Sequence, residues 1–229
     1  MAFDAVAVRC LVKDLKDKLI NSRIDKIHQP EKDEITINLR TMTDNFKLVL
    51  SASPAHPRVH FTNVSKKNPI SAPMFCMLLR KHIGNGKIVS VSQPGLERII
   101  RFEIEHLDEL GDLCRKYLIV ELMGKHSNII FCTPDDKIID SIKHISAQIS
   151  SVREVLPGRD YFIPQAAGKK DPLSSDEAVF KETLSASQAP SGKAIYTSFT
   201  GLSPVMAEEF CHLASIDADV PAASLSDLE

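Results

Sequence analysis

Three short stretches of this chain carry residue types able to grip a charged ligand. In "QPGLERIIRFEI", residues 93–104, Pro94 and Gly95 form a turn that delivers a carboxylate, Glu97, and a guanidinium, Arg98, to the start of a strand. There a side chain is both held and exposed. A solvated surface ion pair accounts for the same residues, because neighbours on a strand point to opposite faces. In "ELMGKHSNII", a hairpin tip of Gly124, Lys125, His126, Ser127 and Asn128 can hold phosphate or sugar oxygens through backbone N–H groups and the lysine. Gly, Ser and Asn also build any tight turn. In "SSVREVLPGRDYFIP", Arg153 and Arg159 stand near Tyr161 and Phe162, the mixture of cation and ring on which single-stranded bases stack. The structural alternative is that the two rings, Phe162 above all, seal the edge of the core.

Two further features are weaker. Lys66 and Lys67 form a loop pair of the kind that is usually just solvated. In "SFTGLSPVMAEEF", Ser203 reads as an N-cap and Pro204 as the first helical residue after a Thr-Gly-Leu-Ser turn of helix-hairpin-helix type. The amides of such a turn can meet a phosphate, but Glu208 and Glu209 on the same helix oppose an anion.

Enzyme signatures are missing. The chain has no G-x-G-x-x-G, P-loop, G-x-S-x-G or H-E-x-x-H. Its eight histidines are scattered without metal spacing, and His28 and His144 read as structural. No catalytic residue, metal or cofactor is expected. The five cysteines include no C-x-x-C pair and sit mostly in apolar runs such as "MFCMLL" and "IIFCT", which predicts reduced, buried thiols in a cytoplasmic protein. No apolar run is long enough for a membrane helix, and "MAFDAVAVRCLVKDL" is interrupted by charge too early for a signal peptide. The net charge of −2 conceals an asymmetry. Residues 171–229 hold two basic and ten acidic residues, leaving 26 basic against 20 acidic in residues 1–170. The first part therefore favours an anionic partner.

The elements that must position these residues follow from periodicity. Val8, Leu11, Leu15 and Leu19 recur at helical spacing after Asp4, a candidate N-cap. "EITINL", "NFKLVLS" and "RVHF" alternate with period two and imply an antiparallel meander. "APMFCMLLRKHI" is apolar nearly all round, which predicts a largely buried helix ended by Gly84 and Gly86. "KIVSVSQ", "IIRFEIE", "KYLIVELM" and "NIIFCT" predict further strands, and "KIIDSIKHI" a last helix. "AAGKKDPLSSDE" marks a boundary, so two domains are expected, 1–170 and 171–229, the second helical and acidic. The fold class is α+β, with enough strands for a β-sandwich.

"MAFDAVAVRCLVKDL", "NPISAPMFCMLLRKHI", "QPGLERIIRFEI", "LIVELMGKHSNIIF" and "VREVLPGRDYFIP", in collinear order, resemble the N-terminal region of the NFACT family. These are ribosome quality control factors of the RqcH type, long known as fibronectin-binding proteins. The resemblance implies a fold similar to the N-terminal domain of formamidopyrimidine-type DNA glycosylases, followed by a helix-hairpin-helix module. It also implies binding to the large ribosomal subunit obstructed by peptidyl-tRNA, recruitment of tRNA, in the bacterial case alanyl-tRNA, and template-free alanine tailing of the stalled chain. The family's Asp-Arg motif falls on Glu97 and Arg98, with Glu97 one methylene longer, and an acidic position of its opening motif falls on Asp4. Arg98, Lys125, His126, Asn128 and Arg153 are then expected at the RNA, with Glu97 and Asp4 orienting those cations or accepting hydrogen bonds from base edges. Peptide bond formation would belong to the ribosome. Two other readings are a fibronectin-binding adhesin and a glycosylase-like DNA binder. For the latter, the start Met1-Ala2-Phe3 lacks the N-terminal proline amine that such enzymes use as nucleophile.

Overall fold

The computed structural model describes residues 4–164 and 168–226, so Met1–Phe3 lie outside it. The chain forms two compact units: residues 10–94 with 98–164, and residues 4–9 with 95–97 and 168–226.

Alternating hydrophobicity builds the first unit. Nine strands pair antiparallel in one sheet, β1 (Arg23–Glu31), β2 (Glu34–Arg40), β3 (Asn45–Ser51), β4 (Arg58–Phe61), β5 (Lys87–Ser92), β6 (Ile99–Leu107), β7 (Leu113–Glu121), β8 (Asn128–Cys132) and β9 (Ile138–Ser141). Their spatial order is β4-β3-β2-β1-β5-β6-β7-β8-β9. Ile35, Ile37 and Leu39 of β2 point into the core, as do Leu48 and Leu50 of β3. Thr36 and Asn38 take the other face.

The sandwich expected from the strand count takes the form of one folded sheet. In a flat sheet β3 and β8 would lie roughly 29 Å apart, six steps of about 4.8 Å. They are in contact instead. Lys143 holds the two parts together, its Nζ donating to the carbonyls of Ala52 and of Ser127. The bend has a place: β1 and β5 share only the pairing of Arg23 with Lys87.

Two sequence expectations fail here. "KIIDSIKHI" is not a helix. Ile138 and its neighbours pair with β8 as strand β9, and Ile138 also exchanges backbone hydrogen bonds with the following strap, Ile138 N to Arg159 O and Gly158 N to Ile138 O. The ladder with β8 and the bridges to the strap outweigh the helical spacing of the isoleucines. Helix α2 (Met74–Ile83) buries Phe75, Cys76, Leu79 and Ile83, but Met74 and Met77 are 78% and 51% exposed, so it is amphipathic rather than largely buried. The thiol expectation is corrected in part as well, since Cys10 is exposed and Cys114 half-buried, although all five cysteines are free.

Helix α1 (Ala5–Leu19) buries Ala5, Val8, Val12, Leu15 and Leu19 at helical spacing. The second unit adds α3 (Glu177–Ser185), α4 (Ser191–Ser198) and α5 (Pro204–Leu213) around a small core of Leu184, Ala194, Ile195, Ala207 and Cys211. Ser203 caps α5 as expected, its Oγ accepting from Met206 N at 3.2 Å. Gly201, at φ +80°, is required by close approach: a Cβ there would lie 2.0 Å from the carbonyl oxygen of Leu96. No helix among the described residues is long and apolar enough to cross a membrane.

Candidate nucleic-acid interface

In the first unit, Ile99 opens β6 opposite Glu121, the last residue of β7. The pairing continues one step past the strand, with Leu122 N donating to Arg98 O at 2.8 Å. Arg98 is therefore level with the start of the turn that follows β7. That turn is a single 3-10 turn, Gly124–His126, with Gly124 at φ +58°. His126 N donates to Met123 O, Ser127 N donates to Gly124 O, and Met123 N donates to Ser127 Oγ at 2.8 Å. Lys143 Nζ donates to Ser127 O at 2.9 Å, and burial pulls this ammonium below its ordinary pKa.

The consequence is a hydrogen-bonded turn that presents two exposed cationic side-chain types. Lys125 and His126 are exposed, Arg98 is half-buried, and their side chains form no ion pair among the described residues. The set offers donors and positive charge, which suits phosphate and base-edge acceptors. Among the described residues no cluster of His, Cys, Asp and Glu has metal-binding geometry.

Asn128 and Arg153, expected at the RNA, are committed to the interior instead. Asn128 is 2% exposed. Its Oδ1 accepts from Ile129 N at 2.9 Å and Lys143 N at 3.1 Å, and its Nδ2 donates to Lys143 O at 2.9 Å. Three of the four hydrogen-bonding positions of that amide serve the fold. Arg153 donates from Nη2 to both carboxylate oxygens of Glu121 and from Nη1 to the carbonyl of Phe162. Tyr161 completes this network, its hydroxyl donating to Glu121 Oε1 at 3.0 Å, and burial pushes the phenol far above its ordinary pKa. The ring that seals the core is therefore Tyr161, 9% exposed, whereas Phe162 is 48% exposed. Arg159 pairs with Glu154 at 3.0 Å on the strap's surface.

Glu121 is the residue that sequence reasoning passed over. The one carboxylate in the otherwise apolar run "LIVEL" was its signal, because a buried carboxylate requires a cation. Its neutralisation by Arg153 leaves the positive charge of Arg98 and Lys125 without a buried acid to oppose it.

Asp4 and Glu97 belong to the second unit. Asp4 is the N-cap predicted for α1: its Oδ1 accepts from Ala7 N at 2.8 Å, and its Oδ2 accepts from the Ser203 hydroxyl at 2.8 Å. Both oxygens hold helix starts together, so Asp4 acts on the architecture. Glu97 is half-buried and directly precedes Arg98 in the chain.

Comparison with known proteins gives the family and the fold. The family model for NFACT N-terminal and middle domains matches residues 4–229. The Rqc2 homolog RqcH of Bacillus subtilis is 42% identical over 217 residues, covering 94% of this chain and 38% of that protein. The mouse ribosome quality control complex subunit NEMF is 24% identical, over 84% of this chain and 17% of its own length. Among solved structures, the N-terminal domain of the fibronectin-binding protein PavA from Streptococcus pneumoniae has a TM-score of 0.85 at 32% identity, over 93% of this chain and 80% of that one. The N-terminal part of the fibronectin/fibrinogen-binding protein of Streptococcus suis gives 0.84 at 36%, over 92% and 79%. The chain thus spans less than two fifths of the length of its RqcH relatives, and it belongs to the NFACT family, in the region of the N-terminal and middle domains.

Proposed function

We propose that this chain is the RNA-facing part of a ribosome quality control factor. It binds tRNA while the full protein engages an obstructed large ribosomal subunit carrying peptidyl-tRNA, and it supports template-free alanine tailing of the stalled nascent chain. Arg98, Lys125 and His126 contact the RNA, Glu97 accepts hydrogen bonds from base edges, and the ribosome forms the peptide bond.

One observation carries the reading. Arg98 before β6, and Lys125 and His126 on the braced turn after β7, stand at the same end of the sheet without carboxylate partners among the described residues, while the adjacent acid Glu121 is neutralised internally. The names of the RqcH and NEMF relatives agree with that role. We further propose that the residues after the boundary form the helix-hairpin-helix module, with Ser203 and Pro204 at its turn.

The test is tRNA affinity against salt. Arg98→Ala is expected to weaken binding and to lower the slope of log affinity on log salt by about 1, the value for one lost phosphate contact. Unchanged affinity and slope remove Arg98 from the interface. A second reading, binding of fibronectin, is favoured by the names of the structural neighbours. It predicts saturable fibronectin binding that survives Arg98→Ala, together with no tRNA binding.

A further inference from the structure

At the end of the sheet opposite Arg98, strands β6 and β7 are joined by the tip of a long hairpin, residues 107–113. Strand β6 has nine residues, roughly 30 Å at about 3.3 Å per residue, so the tip lies far from the proposed RNA contact. Leu107 and Leu113 pair directly across the ladder and therefore share a face. It is the outer face: both leucines are 66% exposed, whereas His106, beside Leu107 on the strand, turns inward and is buried. Leu110, in the turn between them, is 88% exposed. Turns ordinarily use small polar residues, and single exposed leucines are common, but three within seven consecutive residues form a patch.

One carboxylate organises the tip. Asp108 Oδ1 accepts from Leu110 N and from Asp112 N, both at 2.9 Å, and Oδ2 accepts from Cys114 Sγ at 3.5 Å. The backbone N–H of Asp112 above all holds this acid below the ordinary carboxylate pKa, so it stays ionised. Asp108 N also donates to Asp112 O at 2.9 Å, and Gly111 N to Asp108 O at 3.1 Å. The leucines thus sit on a turn whose backbone is already hydrogen-bonded, which lowers the ordering cost of docking them.

Residues 105–113 hold four acids, Glu105, Asp108, Glu109 and Asp112, and no lysine or arginine. Glu105 faces Arg115 at 3.6 Å and Glu109 faces Lys81 of α2 at 3.0 Å. Asp112 is exposed and has no ion pair among the described residues. The tip is an acidic, apolar spot within residues 1–170, which are otherwise basic. Its charge decides among occupants. Acids repel the phosphates of RNA and anionic lipid headgroups. A second copy related by a twofold axis would set the same acids against themselves. Three leucines also fall well short of the roughly 800 Å² per partner of a stable interface. A protein surface with both cations and apolar side chains satisfies the leucines and the acids together.

We propose that this tip docks a cationic amphipathic segment of a partner protein. Apolar side chains of that segment cover Leu107, Leu110 and Leu113, and its lysines or arginines face Glu109 and Asp112. An area this small suits a transient contact with a protein already held nearby.

The test places the photo-crosslinking residue p-benzoylphenylalanine at position 110 of the full-length protein in cells and identifies the captured peptide by mass spectrometry. Binding of that peptide, made synthetically and labelled, is then measured by fluorescence anisotropy. The expected product is a peptide of another protein that carries apolar residues together with lysine or arginine. The same crosslinker at the exposed Met42 should not yield it. Leu110→Ser should weaken binding of the peptide about tenfold, and Asp112→Lys about tenfold with a shallower salt dependence. Both variants should keep the parent's melting temperature within about 3 °C, because both side chains are exposed. No product at position 110, a product with RNA, lipid or a second copy of this chain, or a peptide without cations overturns the proposal. Affinity unchanged in Leu110→Ser or in Asp112→Lys overturns it as well, and a larger fall in melting temperature would make these residues structural instead.

Discussion

Replacing Arg153 by alanine separates the structural account of the strap from an RNA-binding account of the same residue. Its side chain is 11% exposed and that of its partner Glu121 only 1%, so truncation strands a carboxylate in the interior of the first unit. Breaking a buried pair in this way costs about 3–5 kcal/mol. For a chain of this size each kcal/mol lowers the melting temperature by about 2–4 °C, giving a fall of roughly 6–20 °C. Urea denaturation followed by circular dichroism measures the loss directly. A double variant, Glu121→Gln with Arg153→Met, removes both charges and keeps an acceptor for the Tyr161 hydroxyl, so it should recover most of the stability. A loss below about 1 kcal/mol in Arg153→Ala, accompanied by lost tRNA affinity, would refute the reasoning and return Arg153 to the interface.

Glu97→Ala should impair alanine tailing by the full protein while moving the melting temperature by less than about 3 °C; a larger fall would make its role structural. Stability should decline as pH falls from 7 towards 5, because burial, aided by neighbouring cations, holds His28, His60 and His82 below the ordinary imidazole pKa. The unfolded chain takes up protons near pH 6.5 that the folded chain refuses, so this stability is present above that pH and lost below it. A melting temperature that is flat between pH 7 and 5 contradicts the burial of these rings. Thiol labelling at pH 8 should modify the exposed Cys10 and spare Cys132, whose thiol is buried and pushed up to about 12. Equal rates would mean that β8 opens.

The sheet was legible wherever one face is buried and the other wet. Ile35, Ile37 and Leu39 alternate with Thr36 and Asn38, and the structure places each on the face that alternation requires. Strand β1 was not legible, because a register shift between Ile24 and Lys26 puts its buried residues three apart, at Ile24 and Ile27. Strand β9 read as a helix because Ile138, Ile142 and Ile145 are spaced for one, and only pairing with β8 and the strap decides otherwise. The site was legible to the extent that local chemistry determines it. Glycine, lysine and histidine in a tip predicted the exposed turn. The fates of Asn128 and Arg153 depend on partners 15 and 32 residues away, which composition does not reveal.

The central claim is that the end of the sheet bearing Arg98 meets RNA during ribosome quality control. Its most direct test is recovery of the full-length protein from cells, followed by sequencing of the RNA bound to it, for the parent and for Arg98→Ala. Large-subunit RNA together with one enriched tRNA is expected with the parent, and the tRNA is depleted with the variant. Recovery without RNA, or the same tRNA in equal amount on the variant, would contradict it.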